Sequence, residues 1–79
     1  MDDKINYYII MILGMHKRLN TKGIADKIPC ANNTLNKHLK YLRDINVLKS
    51  EKEYIYRMWT INYDYMDYLK KKDIENNAK

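Results

Sequence analysis

Pro29 is the only proline in this chain of 79 residues, and it separates two short helical patterns. Proline cannot continue a helix, because it lacks a backbone N–H and its ring clashes with the preceding turn. Before it, Thr21 is suited to cap a short helix by accepting a hydrogen bond from a free backbone N–H. The buried face of that second helix is expected to hold Ile24, Ala25 and Ile28. The sequence thus predicts that the second helix ends near Pro29 and that the chain turns there.

A third helix is predicted after this turn, from about Asn32 to Asp44. Its narrow buried face consists of residues that recur at helical spacing, namely Leu35, Leu39 and Leu42. Asn46 follows the helix and suits the left-handed backbone conformation that ends many helices.

The first helix, predicted from about Asp3 to Lys17, has apolar residues on two sides. One stripe at the spacing of a buried face is Ile5, Tyr8, Ile9, Ile12, Leu13 and His16. The second stripe is Tyr7, Ile10, Met11 and Met15. A helix that is apolar on two sides must be covered on two sides. The second side packs against either another copy of the chain or the C-terminal helix of the same chain, and the sequence leaves both possibilities open.

The C-terminal half predicts a short β-hairpin followed by a helix. A strand begins at Val47–Leu48, residues 50–53 form a polar turn, and a second strand runs from Tyr54 to Thr60. Helical spacing returns from about Tyr63. The fold class that this order predicts is α+β, mainly α, with three helices, a hairpin and a C-terminal helix in a single domain over residues 1–79.

The exposed face of the third helix carries the strongest functional signal. Its members are amide, hydroxyl or cationic side chains without a carboxylate: Asn32, Asn33, Thr34, Asn36, Lys37 and Lys40. An ordinary solvated helix face mixes in Glu and Asp. The DNA major groove admits one α-helix, and there asparagine can bind adenine while lysine reaches guanine or phosphate. The formal net charge of +5 agrees with a polyanionic partner.

Other classes of function find little support in the residues. The single cysteine, Cys30, excludes an internal disulfide and a cysteine-rich zinc site. Cys30, His16 and His38 are expected to be buried structural residues, so we expect no metal and no cofactor. The sequence contains no glycine-rich phosphate loop and no paired acid and base, and we expect no enzyme activity. The apolar run over residues 5–15 is shorter than the roughly 20 residues that a bilayer requires, so we expect a cytoplasmic protein with no membrane partner.

Three stretches, Thr21–Ala25, Thr34–Leu42 and Ile45–Leu48, resemble the winged helix-turn-helix regulators of the ArsR-like and MarR-like families. The resemblance implies a winged-helix fold in which the third helix is the recognition helix. It implies that the residues facing the groove are Asn32, Asn33, Thr34, Asn36 and Lys37. It further implies that Lys49, Lys52 and Arg57 on the wing approach phosphate or the minor groove, with Lys52 at the tip. Ala31 replaces the usual Ser or Thr cap, so that Asn32 is expected to cap instead.

Two acidic residues in the predicted wing turn, Glu51 and Glu53, disfavour deep entry into the minor groove. The expected phosphate contacts are Thr21, Lys22, Lys40, Lys49, Lys52 and Arg57. The expected dimer interface lies on the first and last helices and consists of Ile10, Met11, Met15, Tyr65, Met66 and Leu69.

The predicted function is sequence-selective binding of double-stranded DNA by a homodimer, as in a transcriptional regulator. Two alternatives stay open. One is a partition adaptor similar to the TubR-like proteins of plasmids and phages, which binds centromere repeats and recruits a second protein, a tubulin-like GTPase. The other is a winged helix used for protein–protein contact.

Overall fold

The computed structural model describes residues 3–77 and contains four helices and one small sheet. The elements in chain order are α1 (Asp3–His16), β1 (Arg18–Asn20), α2 (Thr21–Ala25), α3 (Asn32–Asp44), β2 (Leu48–Glu53), β3 (Tyr56–Ile61) and α4 (Tyr63–Asn77). The predicted α+β class with mainly helical content is confirmed. The outermost residues of the predicted domain, 1, 2, 78 and 79, lie outside the described residues.

The sheet is antiparallel with the strand order β1-β3-β2. The strand β1 was not predicted, because three residues are too few to show an alternating pattern. It follows Lys17, which ends α1 with a positive φ of 67°. Leu19 of β1 then pairs with Trp59 of β3, forty residues further along the chain. This strand therefore depends on a long-range partner that local sequence patterns do not show.

The core lies between the first three helices and the sheet. Its buried apolar side chains are Ile9, Leu13, Ile24, Ile28, Leu35, Leu39, Leu42, Leu48, Trp59 and Ile61. The predicted leucine face of α3 is confirmed. On α1 the prediction is partly wrong, because Tyr8 and His16 are exposed and only Ile9 and Leu13 are fully buried. One narrow stripe of α1 is enough to meet α3 and the sheet.

The hairpin turn lies at Tyr54 and Ile55, beyond the predicted polar turn at residues 50–53. The register pairs Leu48 with Ile61 and directs both side chains, together with Trp59, into the core. A slip of one residue would turn these side chains to solvent. Burial of the apolar residues therefore fixes the register, and the polar run Ser50–Glu53 becomes strand. The wing-tip position predicted for Lys52 is wrong as well, because Lys52 pairs with Arg57 within the ladder.

The helix ends differ in three respects from the predictions, and the first is that α2 ends at Ala25, four positions before Pro29. Asn20, rather than Thr21, caps α2, and its Oδ1 accepts a hydrogen bond from the Gly23 backbone N–H at 2.7 Å. Ala31 precedes α3 without a side-chain cap, and Asn32 is its first residue, so the expected cap by Asn32 is wrong. Asn46 adopts a φ of 66°, which confirms its predicted left-handed conformation.

The last helix, α4, stands away from the body of the domain. From Tyr63 to Ile74 every side chain is exposed except Tyr65, which is half-buried. Tyr7, Met11 and Met15 of α1 are exposed too, so α4 of the same chain does not cover this part of the second α1 stripe. Within the described residues, no helix has the length and apolar character needed to cross a membrane.

Candidate nucleic-acid interface

The polar face of α3 is fully accessible in the folded domain. Each of its predicted members is exposed: Asn32, Asn33, Thr34, Asn36, Lys37 and Lys40. With 3.6 residues per turn, Asn33, Lys37 and Lys40 lie directly opposite the buried leucines. The only carboxylate of α3 is Asp44 in the last turn, and it lies 3.5 Å from Arg43 Nη2. The accessible face is thus a continuous strip of hydrogen-bonding and cationic groups.

A shallow depression joins this face to the hairpin and to the start of α2. Its volume is about 350 Å³, and it is lined by Thr21, Asn36, Lys40, Arg43, Arg57 and Trp59. Three of these side chains are cationic and none is acidic. The fold therefore brings residues from three separate stretches of sequence to one basic concave surface. Of the predicted phosphate contacts, it gathers Thr21, Lys40 and Arg57 here.

Trp59 fixes the position of Thr21 on this surface. The indole Nε1–H donates a hydrogen bond of 2.9 Å to Thr21 Oγ1. Trp59 is buried in the sheet, so the hydroxyl is held against a rigid part of the core. Because Thr21 Oγ accepts in this bond, its own hydrogen stays available to donate to an incoming acceptor. The arrangement suits a phosphate oxygen.

A second depression of about 500 Å³ lies between α2 and α3. It is lined by Thr21, Lys22, Ala25, Asp26, Asn32, Leu35 and Asn36. Asp26 makes the far end of this depression less suited to an anion. Lys22 is exposed beside it, as the predicted phosphate contact requires.

The two faces of the hairpin carry different charges. Side chains of paired residues project from the same face of a sheet and alternate along each strand. Lys52 and Arg57 form a cross-strand pair on the face that also carries Ser50 and Trp59, which is the side of the basic depression. Arg57 Nη1 donates to Ser50 Oγ at 3.1 Å, so the guanidinium is oriented by its own sheet.

The acidic residues of the hairpin lie on the opposite face. Glu51 and Glu53 share that face with Arg18 of β1, which reaches both carboxylates. Arg18 Nη2 lies 3.7 Å from Glu51 Oε2 and forms a hydrogen-bonded ion pair with Glu53. Arg18 was not predicted to take part in the site, because β1 itself was not predicted. Because both carboxylates project from the opposite face and lie close to Arg18, they repel a phosphate on the Lys52 face less strongly than the sequence suggests.

Lys49 is the predicted phosphate contact that the structure does not bring to this surface. It projects from the acidic face of the hairpin, where its Nζ lies 3.4 Å from Asp64 Oδ2 at the start of α4. An exposed pair of this kind contributes little stability, roughly 0–1 kcal/mol. Lys49 is therefore removed from the set of candidate contacts.

The predicted dimer residues of α1 belong to an exposed apolar surface. Met11 and Met15 are 53% and 73% exposed, and Tyr7, one turn before Met11, is exposed as well. Ile10 lines two apolar depressions on either side of the helix. The one toward α4 has a volume of about 460 Å³ and is lined by Ile10, Gly14, Ile61, Tyr63, Met66, Asp67 and Lys70. We call this surface the α1 apolar face and define it by Tyr7, Ile10, Met11, Met15 and Met66.

The other depression beside Ile10 lies toward α3. It has a volume of about 360 Å³ and is lined by Asn6, Tyr7, Ile10, Tyr41, Leu42, Ile45 and Val47. Tyr41 and Ile45 were not predicted as interface residues, and both are exposed. Of the remaining predicted residues, Tyr65 is half-buried and stacks on Tyr68 with ring centroids 6.3 Å apart, and Leu69 is exposed.

The cysteine and the histidines occupy three different environments. His38 is buried, and its Nδ1–H donates to Asn6 Oδ1 over 2.7 Å, which ties α3 to α1. Cys30 is half-buried against the core. His16 is exposed, so the buried role predicted for it is wrong. In the part of the chain that the structure describes, no three His, Cys, Asp or Glu side chains form a group that could hold a metal ion.

Comparison of the chain with protein-family models, with curated proteins and with solved structures finds no significant match.

Proposed function

We propose that this protein is a winged helix-turn-helix protein that binds double-stranded DNA with sequence preference, as a transcriptional regulator does. One observation carries the proposal. The exposed face of α3 lacks carboxylates before Asp44, and it shares one side of the domain with the Lys52–Arg57 pair of the hairpin.

The order of elements supports the winged-helix assignment. A helix, a short strand, two helices around a turn and a hairpin follow one another, and the short strand closes the sheet beside β3. In this arrangement α3 is the recognition helix and the hairpin is the wing. With this assignment, α3 and the hairpin both contact the same DNA duplex.

The pairing of Lys52 with Arg57 further supports an anionic partner. Like charges directly opposite each other in an antiparallel pair are destabilising. A phosphate group between the two cations would relieve this repulsion. The pair is also set back from the turn, at a depth where the sugar–phosphate backbone would pass.

The proposal divides the work between two groups of residues. Bases are read in the major groove by the α3 residues Asn32, Asn33, Thr34, Asn36 and Lys37. The duplex is positioned through phosphate contacts by Thr21, Lys22, Lys40, Lys52 and Arg57. Phosphate contacts supply affinity and register, whereas base contacts supply the sequence preference.

The proposal includes a homodimer formed through the α1 apolar face. Contiguous apolar patches of this kind are uncommon on monomers and mark interaction sites. A two-fold dimer would present two α3 helices to two half-sites about one helical turn of DNA apart. The second copy then covers Met11 and Met15, which the chain's own α4 leaves exposed.

Salt dependence of binding tests the proposal. The full chain is used to select a duplex from a random 30-base-pair library, and binding is measured by fluorescence anisotropy. We expect affinity to fall roughly a hundredfold or more between about 50 and 200 mM salt, because each phosphate contact releases condensed counterions. Failure to select any duplex, or an affinity independent of salt, would contradict DNA binding.

Substitution of Asn33 tests the proposal that base reading and phosphate contact are carried out by different residues. Asn33→Ala should cost about 1–3 kcal/mol of discrimination at one base pair, because a bidentate base contact is lost. Lys22→Ala is the matched control, since it should weaken the selected duplex and a scrambled duplex alike and reduce the salt slope by about one. Equal losses on both duplexes for Asn33→Ala would refute base reading by this residue.

A further inference from the structure

The hairpin turn exposes apolar side chains at the end of a basic strand pair. Tyr54 is 84% exposed and Ile55 is 69% exposed, and together they form the whole two-residue turn. Two-residue hairpin turns usually contain glycine, asparagine or aspartate, which tolerate the positive φ that these turns require. Here that conformation is taken by Tyr54, with a φ of 59°. Neither propensity nor core packing accounts for these two residues at this turn.

The position of the turn relative to the basic surface suggests a role. Ile55 lies four positions before Trp59, where β3 enters the core, so the hairpin extends roughly 13 Å past that point. Arg57 lies halfway along this distance, on the same side as α3. If α3 occupies the major groove, Arg57 and Lys52 meet the adjacent sugar–phosphate backbone. The turn then passes beyond that backbone, where the minor groove begins.

We propose that Tyr54 and Ile55 insert as an apolar wedge into the minor groove next to the major groove that α3 occupies, and that they unstack a base step and bend the duplex there. Apolar side chains of this size act in that way in proteins that kink DNA from the minor groove. The proposal rests on the proposed function and adds a contact that reads deformability of the duplex, which depends on its sequence.

The charges on the hairpin are compatible with this insertion. Glu53 is adjacent to the turn, but it is paired with Arg18 on the opposite face of the sheet. The cations Lys52 and Arg57 face the DNA side. A turn built to contact a lipid surface or another protein would not need this separation of charges between the two faces.

The test uses the full chain and the duplex selected from the random library, labelled at its two ends for energy transfer. A second copy of the duplex carries 2-aminopurine at successive steps outside the α3 contact region. The variant Tyr54→Asn/Ile55→Ser removes the apolar surface. It keeps a residue that tolerates the positive φ, so the turn conformation is retained.

The wild-type protein is expected to shorten the end-to-end distance and to raise 2-aminopurine fluorescence at one step. The double variant should lose both signals and bind about tenfold more weakly, with an unchanged salt slope because no charge is removed. The conservative variant Ile55→Leu should retain bending, and Tyr68→Ser on α4 is the control for loss of an exposed aromatic ring.

Bending by the double variant equal to that of the wild type would overturn the wedge. So would a wild-type complex that binds tightly without either signal, although DNA binding itself would stand. Absence of binding by the wild type would instead refute the proposed function. The last outcome concerns a lipid surface. If the wild type sediments with phosphatidylserine vesicles, the double variant does not, and both bend the duplex equally, the wedge is overturned and the turn is assigned to a lipid surface.

Discussion

Reversal of two charges on the basic surface, in the variant Lys40→Glu/Arg57→Glu, should lower DNA affinity at least a hundredfold. Both side chains are exposed and line the depression between α3 and the hairpin, so the folded domain should tolerate the change. A unit charge about 4 Å from a phosphate contributes roughly 1 kcal/mol in water and more near a protein surface. Each reversal removes one attraction and adds one repulsion, and about 1.4 kcal/mol corresponds to a tenfold change. The loss is measured by anisotropy at about 100 mM salt.

The matched control is Lys71→Glu/Lys72→Glu on α4. It changes the net charge by the same amount at exposed positions away from α3. We expect this control to lose less than about threefold in affinity, because charges beyond a Debye length of about 10 Å are largely screened. Similar losses for both variants would mean that net charge, and not the α3 surface, attracts the DNA. Unchanged binding by both would favour the alternative that the domain contacts proteins.

The sequence predicts the α3 surface well because helical spacing is a local property. Leu35, Leu39 and Leu42 define one face, and the residues on the opposite side of the helix follow by geometry. Pro29 lies between α2 and α3 as the sequence predicts, but α2 ends earlier than predicted, at Ala25. The predicted bounds of α3, from Asn32 to Asp44, agree with the structure.

The hairpin shows where local patterns fail. Polar residues at 50–53 suggest a turn, but the register is set by burial of Leu48, Trp59 and Ile61 against helices far away in sequence. Because of this error, Lys52 was predicted at the tip of the hairpin, and the exposed turn residues Tyr54 and Ile55 were not recognised. The error also placed Glu51 and Glu53 where they would oppose DNA. Only the paired sheet reveals that they project from the face that carries Arg18.

The second stripe of α1 is a case in which the sequence left two answers open. Met11 and Met15 could pack on α4 of the same chain or on a second copy. In the structure both are exposed, and from Tyr63 to Ile74 of α4 every side chain except that of Tyr65 is exposed. A domain of 79 residues buries only about 60% of the surface of its unfolded chain, so additional burial at an interface has a large relative effect on its stability.

Placing carboxylates on the α1 apolar face, in the variant Met11→Glu/Met15→Glu, should therefore convert the proposed dimer into a monomer. Both positions are on the surface of the single chain, so the fold should persist, as far-ultraviolet circular dichroism would check. In a two-fold interface each new carboxylate faces apolar groups or its symmetry mate, and both arrangements are unfavourable. Sedimentation equilibrium at micromolar concentration should give one chain for the variant and two for the wild type.

Loss of the dimer should also reduce affinity for a duplex with two half-sites by about 10²- to 10⁴-fold, because linked binding of two α3 helices is lost. Binding to a single half-site should change little, since the α3 surface is untouched. Lys71→Gln/Lys72→Gln is the charge-matched control, because it also makes the net charge more negative by two, and it should remain a dimer. A wild-type chain that is monomeric at these concentrations would contradict the interface. So would a variant that keeps both its dimer and its affinity, because the α1 apolar face would then have no part in either.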